Sequence, residues 1–138
     1  MADVQLSPYL NFAEGKTREV MEFYQSVFGG DLSVQTFGEF GYPDEGKKDL
    51  VMHSRLTTAD VDIMASDTQS DATLVVGTNI SLSLSGPNEE SLKKYWSGLA
   101  AGGTVVDELS TKPWGDEFGM ITDKFGINWL VNITQTQA

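Results

Sequence analysis

The sequence predicts an α+β protein made of two β-α-β-β-β repeats, and three observations predict it. Residues 118–134 (F-G-M-I-T-D-K-F-G-I-N-W-L-V-N-I-T) read as two strands around the turn Asp123-Lys124-Phe125-Gly126, with Ile127, Trp129, Val131 and Ile133 on one side of the second strand and Asn128, Leu130, Asn132 and Thr134 on the other. Two segments carry helical spacing, and each stops at a Gly-Gly pair, Gly29-Gly30 and Gly102-Gly103. A shift of 72 residues overlays Leu10, Phe12, Val20, Phe23, Tyr24 and Val27 on Leu82, Leu84, Leu92, Tyr95, Trp96 and Leu99. Such an overlay marks one supersecondary unit used twice.

In chain order, Ser7 to Phe12 is the first strand, with Pro8 where a missing N–H is tolerated. Lys16 to Phe28 is helical through Val20, Phe23, Tyr24 and Val27, with Thr17 a candidate cap. Leu32 to Phe40 is the second strand, and residues 41–48 form a turn-rich loop expected to be mobile. Asp49–Thr57 and Val61–Ser66 make a hairpin closed at Thr58-Ala59-Asp60. After a bridge from Asp67 to Gly77, Asn79 to Ser85 alternates as the fifth strand, Pro87-Asn88 opens a helix to about Ala101, and Thr104 to Leu109 precedes the closing hairpin. One helix covers one face of four strands. The expected arrangement is a curved eight-stranded mixed sheet, two half-barrels enclosing a cup with the helices outside, in one domain over 1–138 with repeats 7–67 and 78–134.

Composition narrows the function. The net charge of −11 and the 20 acidic side chains against nine basic ones argue against nucleic acid and anionic membrane surfaces as partners. No cysteine is present, which removes thiol nucleophiles, disulfides and cysteine metal ligands. The N-terminus M-A-D-V-Q-L-S-P lacks the basic and apolar regions of a signal peptide, and no apolar run approaches a membrane span, so a cytoplasmic location is expected. No G-x-G-x-x-G or phosphate-loop pattern occurs.

The segments F-Y-Q-S-V-F-G-G (23–30), I-M-A-S-D (63–67) and D-K-F-G-I-N-W (123–129), set in the double repeat, resemble the vicinal oxygen chelate superfamily of glyoxalase I, bleomycin and fosfomycin resistance proteins and extradiol dioxygenases. More narrowly they resemble its PhnB-like branch, often labelled 3-demethylubiquinone-9 3-methyltransferase. The methyltransferase label finds no doubly wound cofactor-binding unit in this sequence. The resemblance implies a homodimer that binds a small molecule in the cup. It also implies a divalent metal held by His, Glu or Gln on the first, fourth, fifth and eighth strands. Those positions fall on Tyr9, Met64, Asn79 and Leu130, none a usual ligand, so no metal or other cofactor is expected.

Alternation from these positions predicts the cup lining: Tyr9 and Asn11; Val51, His53 and Arg55; Asp62, Met64 and Ser66; Asn79, Ser81 and Ser83; Asn128, Leu130 and Asn132. Such a cup suits a small polar or anionic molecule. His53, the only histidine, is the candidate catalytic residue, as a base or an orienting donor, or else a strand histidine satisfied by a neighbour. Arg55 is a candidate anion clamp or one half of a structural ion pair. Asp67 is a metal ligand or caps the bridge that follows it, and Asp60 is a turn residue. Trp114, in K-P-W-G-D, stacks on a ligand or packs its loop; Phe37 and Phe118 line an apolar wall or the core. Two functions follow: a metal-independent binder using Tyr9, Asn11, Arg55, Met64, Asn79, Ser81, Trp114, Leu130 and Asn132, or a metal-dependent lyase, isomerase or dioxygenase with an atypical site around His53.

Overall fold

The structure, a computed structural model, describes residues 4–41, 46–68 and 74–135. Residues 42–45 of the loop expected to be mobile and 69–73 of the bridge lie outside the described residues. The chain divides into two compact units, Met1–Val75 and Val76–Ala138, each holding one repeat.

The first unit runs β1 (Tyr9–Phe12), α1 (Thr17–Phe28), β2 (Asp31–Thr36), β3 (Val51–Thr57) and β4 (Asp62–Asp67), with a single 3₁₀ turn at Gly38–Phe40. Its strands pair in the order β1-β4-β3-β2, parallel between β1 and β4 and antiparallel elsewhere. The helix buries Val20, Tyr24 and Val27 of the stripe expected from its spacing, with Met21 and Phe28 added and Phe23 only half-buried, and faces Leu56, Ile63 and Ala65, all 2% exposed or less. Full burial of each of the larger aliphatic side chains among them contributes about 1.5–3 kcal/mol.

Three expectations are corrected in this unit. Lys16, not Thr17, stands at the helix N-cap, without a side-chain cap bond. The buried N–H of Thr17, which has no partner within the helix, is satisfied from outside it by Asp67 Oδ1 at 3.0 Å. Val51 was expected in the cup; it is buried at 1% exposure, and its N–H donates to Asp67 Oδ2 at 2.8 Å. The cause is a bulge: Gln35 pairs with His53 but Thr36 with Val51, which leaves Met52 as an extra residue and switches the face before it. The second strand also ends at Thr36, and buried Phe37 packs in the core.

The second unit runs β5 (Leu82–Gly86), α2 (Glu89–Ala100), β6 (Thr104–Thr111), β7 (Glu117–Thr122) and β8 (Asn128–Ile133), paired as β5-β8-β7-β6. Asn88 caps α2 by accepting from Ser91 N at 3.0 Å. Leu92, Val131 and Ile133 form the core, with Leu84, Tyr95, Trp96 and Leu109 against them. The strand ladders thus form two four-stranded mixed sheets, each with one helix. The fifth strand begins at Leu82 rather than Asn79, because Leu82 pairs with Trp129 near the start of β8. Asn79 and Ser81 precede the strand, and the residue beside Leu130 is Ser83.

Gly119 shows how tightly the second core is closed. A methyl group there would sit 2.5 Å from the Trp96 ring and 2.9 Å from Leu109 Cα. Gly119→Ala is therefore expected to cost about 2 kcal/mol by overpacking, read as a lower urea midpoint with an unchanged slope.

Candidate functional site

The face of the first sheet turned away from α1 holds the polar side chains expected to line the cup. Tyr9 of β1 lies beside Met64 of β4, and Met64 beside Arg55 of β3. His53 sits two residues from Arg55 and on the same face, because Arg55 follows the bulge. The Tyr9 hydroxyl and His53 Nδ1 meet at 3.0 Å across β4, with ring centroids 5.7 Å apart. Beside them Ser66 Oγ donates to Asn11 Oδ1 at 3.3 Å. The sequence placed these residues on one face; the pairing of Tyr9 with His53 needed the strand order β1-β4-β3, which no local pattern encodes.

Arg55 is the structural ion pair rather than a free clamp. Its Nε and Nη2 donate to the two oxygens of Asp62 at 2.8 and 2.9 Å, a bidentate fork. Asp62 also accepts from Gln5 Nε2 at 2.7 Å and Ser7 Oγ at 3.2 Å, which fastens the start of the chain to β4. The Arg55 bond chiefly, with those from Ser7 and Gln5, holds the Asp62 carboxyl below the usual carboxylate range against a smaller opposing effect of burial. A depressed folded pKa contributes stability above the unfolded value, about 3.9, that is lost as pH falls through the folded value. Asp62→Asn is therefore expected to be less stable than the wild type at neutral pH, with the gap closing as the pH drops below about 4. Chemical unfolding of both proteins across that range checks the sign.

The remaining candidate carboxylate, Asp67, is 4% exposed and spends both oxygens on the backbone of Thr17 and Val51. It is a cap. Asp60 is in the turn, where its N–H and that of Val61 both donate to Thr58 Oγ1 at 2.9 and 2.8 Å.

In the second unit the corresponding face places Ser83, Leu130 and Met120 in one row and Ser85, Asn132 and Phe118 in the next. Asn132 Nδ2 donates to Asp116 Oδ2 at 3.0 Å, and Gln135 N to Asp116 Oδ1 at 3.1 Å; together they hold the Asp116 carboxyl below its usual range. Asn128 accepts from Thr122 Oγ1 at 2.8 Å. Trp114 is 61% exposed and meets Phe118 edge-on, with centroids 5.8 Å apart. Its loop is closed by Lys112 N to Asp116 O and Gly115 N to Lys112 O, both 2.9 Å. Asp123 does more than open the turn. It is 3% exposed and accepts from Phe125 N, Ile127 N and Trp129 Nε1 at 2.9, 3.1 and 2.9 Å.

The superfamily's metal finds no suitable donors at its four positions. Tyr9 is bonded to His53, Met64 and Leu130 carry no hard donor, and Asn79 lies outside β5. Among the described residues no three of His, Asp and Glu gather as a ligand group.

This fold, with its paired β-α-β-β-β units, is that of the vicinal oxygen chelate superfamily. Glyoxalase/bleomycin resistance/dioxygenase and FosX fosfomycin resistance proteins, from Burkholderia phytofirmans and Listeria monocytogenes, share it at 17% and 14% identity with TM-scores of 0.60 and 0.63. Within it the chain belongs to the family described as 3-demethylubiquinone-9 3-methyltransferase, whose pattern matches residues 4–132. The crystal structure of PA1353 from Pseudomonas aeruginosa is similar at 34% identity and a TM-score of 0.86, covering 97% of this chain and 100% of that one. The PhnB protein of Bacillus cereus is similar at 25% identity and 0.76, covering 95% and 100%. YjdN of Escherichia coli K12 is 29% identical over 96% of this chain and 97% of its own length.

Proposed function

We propose that the protein binds a small polar molecule on the open face of the first repeat, without a divalent metal at the superfamily's ligand positions. The single observation that carries this reading is the Tyr9–His53 pair, two polar rings bonded to one another at 3.0 Å on a sheet face that no helix of its unit covers. Asn11, Ser66 and the thioether of Met64 surround it with hydrogen-bonding and soft apolar groups, the mixture typical of small-ligand sites. On the second repeat, Trp114, Leu130 and Asn132 offer the same mixture. Arg55 contributes through its fixed pair with Asp62, whose carboxylate already offsets its charge.

The alternative, a metal-dependent lyase, isomerase or dioxygenase, requires carboxylates around His53 that the Tyr9 contact does not supply. Methyl transfer, which the family's description mentions, has no assigned group here; the reading rests on binding alone. A cytoplasmic homodimer completes the proposal, and light scattering should then give twice the chain mass of 15.1 kDa.

The test is thermal unfolding against a panel of small amides, ketones, alcohols and carboxylates. A ligand that binds only the folded state at a hundred times its dissociation constant adds about 2.7 kcal/mol of stability. A rise in Tm with at least one compound, reduced tenfold or more in apparent affinity by His53→Ala, is expected. A panel without effect, or a response unchanged in His53→Ala, contradicts the reading.

A further inference from the structure

We propose that Tyr9 is a positioning residue that holds His53 as the Nε2–H tautomer, so that the site takes a neutral molecule bearing a carbonyl oxygen. This rests on the small-molecule reading above and specifies what that site recognises.

Two proton arrangements are compatible with the 3.0 Å separation of Tyr9 Oη and His53 Nδ1. In one, the phenol donates to Nδ1 and the imidazole proton resides on Nε2. In the other, Nδ1–H donates to the phenol oxygen and Nε2 carries a lone pair. The first is favoured on chemical grounds. A phenol O–H is a strong donor, whereas its oxygen lone pairs are delocalised into the ring and accept poorly; a neutral imidazole nitrogen accepts well. Donation by Tyr9 also leaves histidine in the tautomer it prefers in water. The nitrogen that does not bond Tyr9 is then a donor, and the partner a ligand must bring is an acceptor.

The surroundings select among acceptors. A carboxylate or phosphate needs a cation, and Arg55 on the same face has its Nε and Nη2 committed to Asp62 at 2.8 and 2.9 Å. The net charge of −11 adds a general repulsion of anions. Met64, between Tyr9 and Arg55 in the sheet, gives the row a soft apolar floor that favours the carbon skeleton of a neutral ligand. An amide, ester, ketone or quinone carbonyl meets these conditions and a carboxylate does not.

His53 is the only histidine, so nitrogen NMR of histidine-labelled protein reads this one ring without assignment. In mildly alkaline solution Nδ1 is expected at the far-downfield position of an unprotonated ring nitrogen and Nε2 at that of a protonated one. Tyr9→Phe, which keeps the ring and removes the hydroxyl, is expected to move both resonances toward the average of the two tautomers. A protonated Nδ1 in the wild type, or resonances unmoved in Tyr9→Phe, overturns the positioning role whatever the site binds. The second arm titrates benzamide and benzoate, matched in shape and differing in charge. Saturable movement of the Nε2 signal by benzamide, with benzoate at least tenfold weaker, supports the carbonyl preference. Equal or tighter binding of benzoate overturns it. A locked tautomer with no response to benzamide overturns the carbonyl preference and counts against the binding reading, while leaving the role of Tyr9 intact.

Discussion

Asp123→Ala is expected to destabilise the protein by about 3–4 kcal/mol, the largest effect of any single carboxylate removal. Three donors, Phe125 N, Ile127 N and Trp129 Nε1, converge on this side chain at 2.9, 3.1 and 2.9 Å, and it is 3% exposed. Alanine leaves the buried Trp129 N–H without an acceptor and releases the turn between β7 and β8. A hydrogen bond to a charged group contributes about 1.5–3 kcal/mol, and an orphaned buried donor costs about 1–3. Trp129→Phe separates the two parts, since it removes the indole N–H while the turn bonds remain; roughly half the loss is expected. Urea unfolding of the two variants measures both. A loss under about 1 kcal/mol for Asp123→Ala would contradict the assignment.

Asp67→Ala is expected to cost about 3 kcal/mol in the first unit. Its carboxylate joins the N-terminus of α1, through Thr17 N at 3.0 Å, to the start of β3, through Val51 N at 2.8 Å. Negative charge at a helix N-terminus is favourable, and both donors are buried once the acceptor is gone. Asp67→Asn keeps one acceptor oxygen but turns an NH₂ group toward the second donor, so it should recover less than half of the loss. Because the residue holds the scaffold and touches no part of the Tyr9–His53 pair, the destabilised variant is expected to retain ligand binding at temperatures where it is folded. Loss of binding at full foldedness would point instead to a role in the site.

These two aspartates show where sequence reading succeeded and where it stopped. Asp67 was legible as a capping carboxylate at the end of its strand, but its bonds go to Thr17 N and Val51 N rather than to the bridge that follows, and the second depended on the Met52 bulge, for which no glycine or proline gives a signal. Asp123 was legible only as a turn residue; its bond to Trp129 lies across the hairpin, six residues on. The alternation of β4 and β8 was fully legible, and it placed Met64, Leu130, Asn128 and Asn132 on the open faces. Asn79 was placed in β5 because Asn79 to Ser85 alternates without a break, yet pairing begins only at Leu82. The Arg55–Asp62 pair had a readable signal: a hairpin closed at 58–60 brings those two positions diagonally together. Tyr9 and His53 are 44 residues apart and two strands removed, and only the assembled sheet joins them.

The central claim is a small-molecule site that works without the superfamily's divalent metal. Thermal unfolding of the chelator-stripped protein, with and without Ni²⁺, Mn²⁺, Zn²⁺ and Fe²⁺ and in parallel with His53→Ala, tests it most directly. Tyr9, Met64 and Leu130 at the ligand positions predict no stabilisation specific to the folded wild type with any of the four. A rise of several degrees with one metal, abolished in His53→Ala, would contradict the claim and assign His53 to a metal centre.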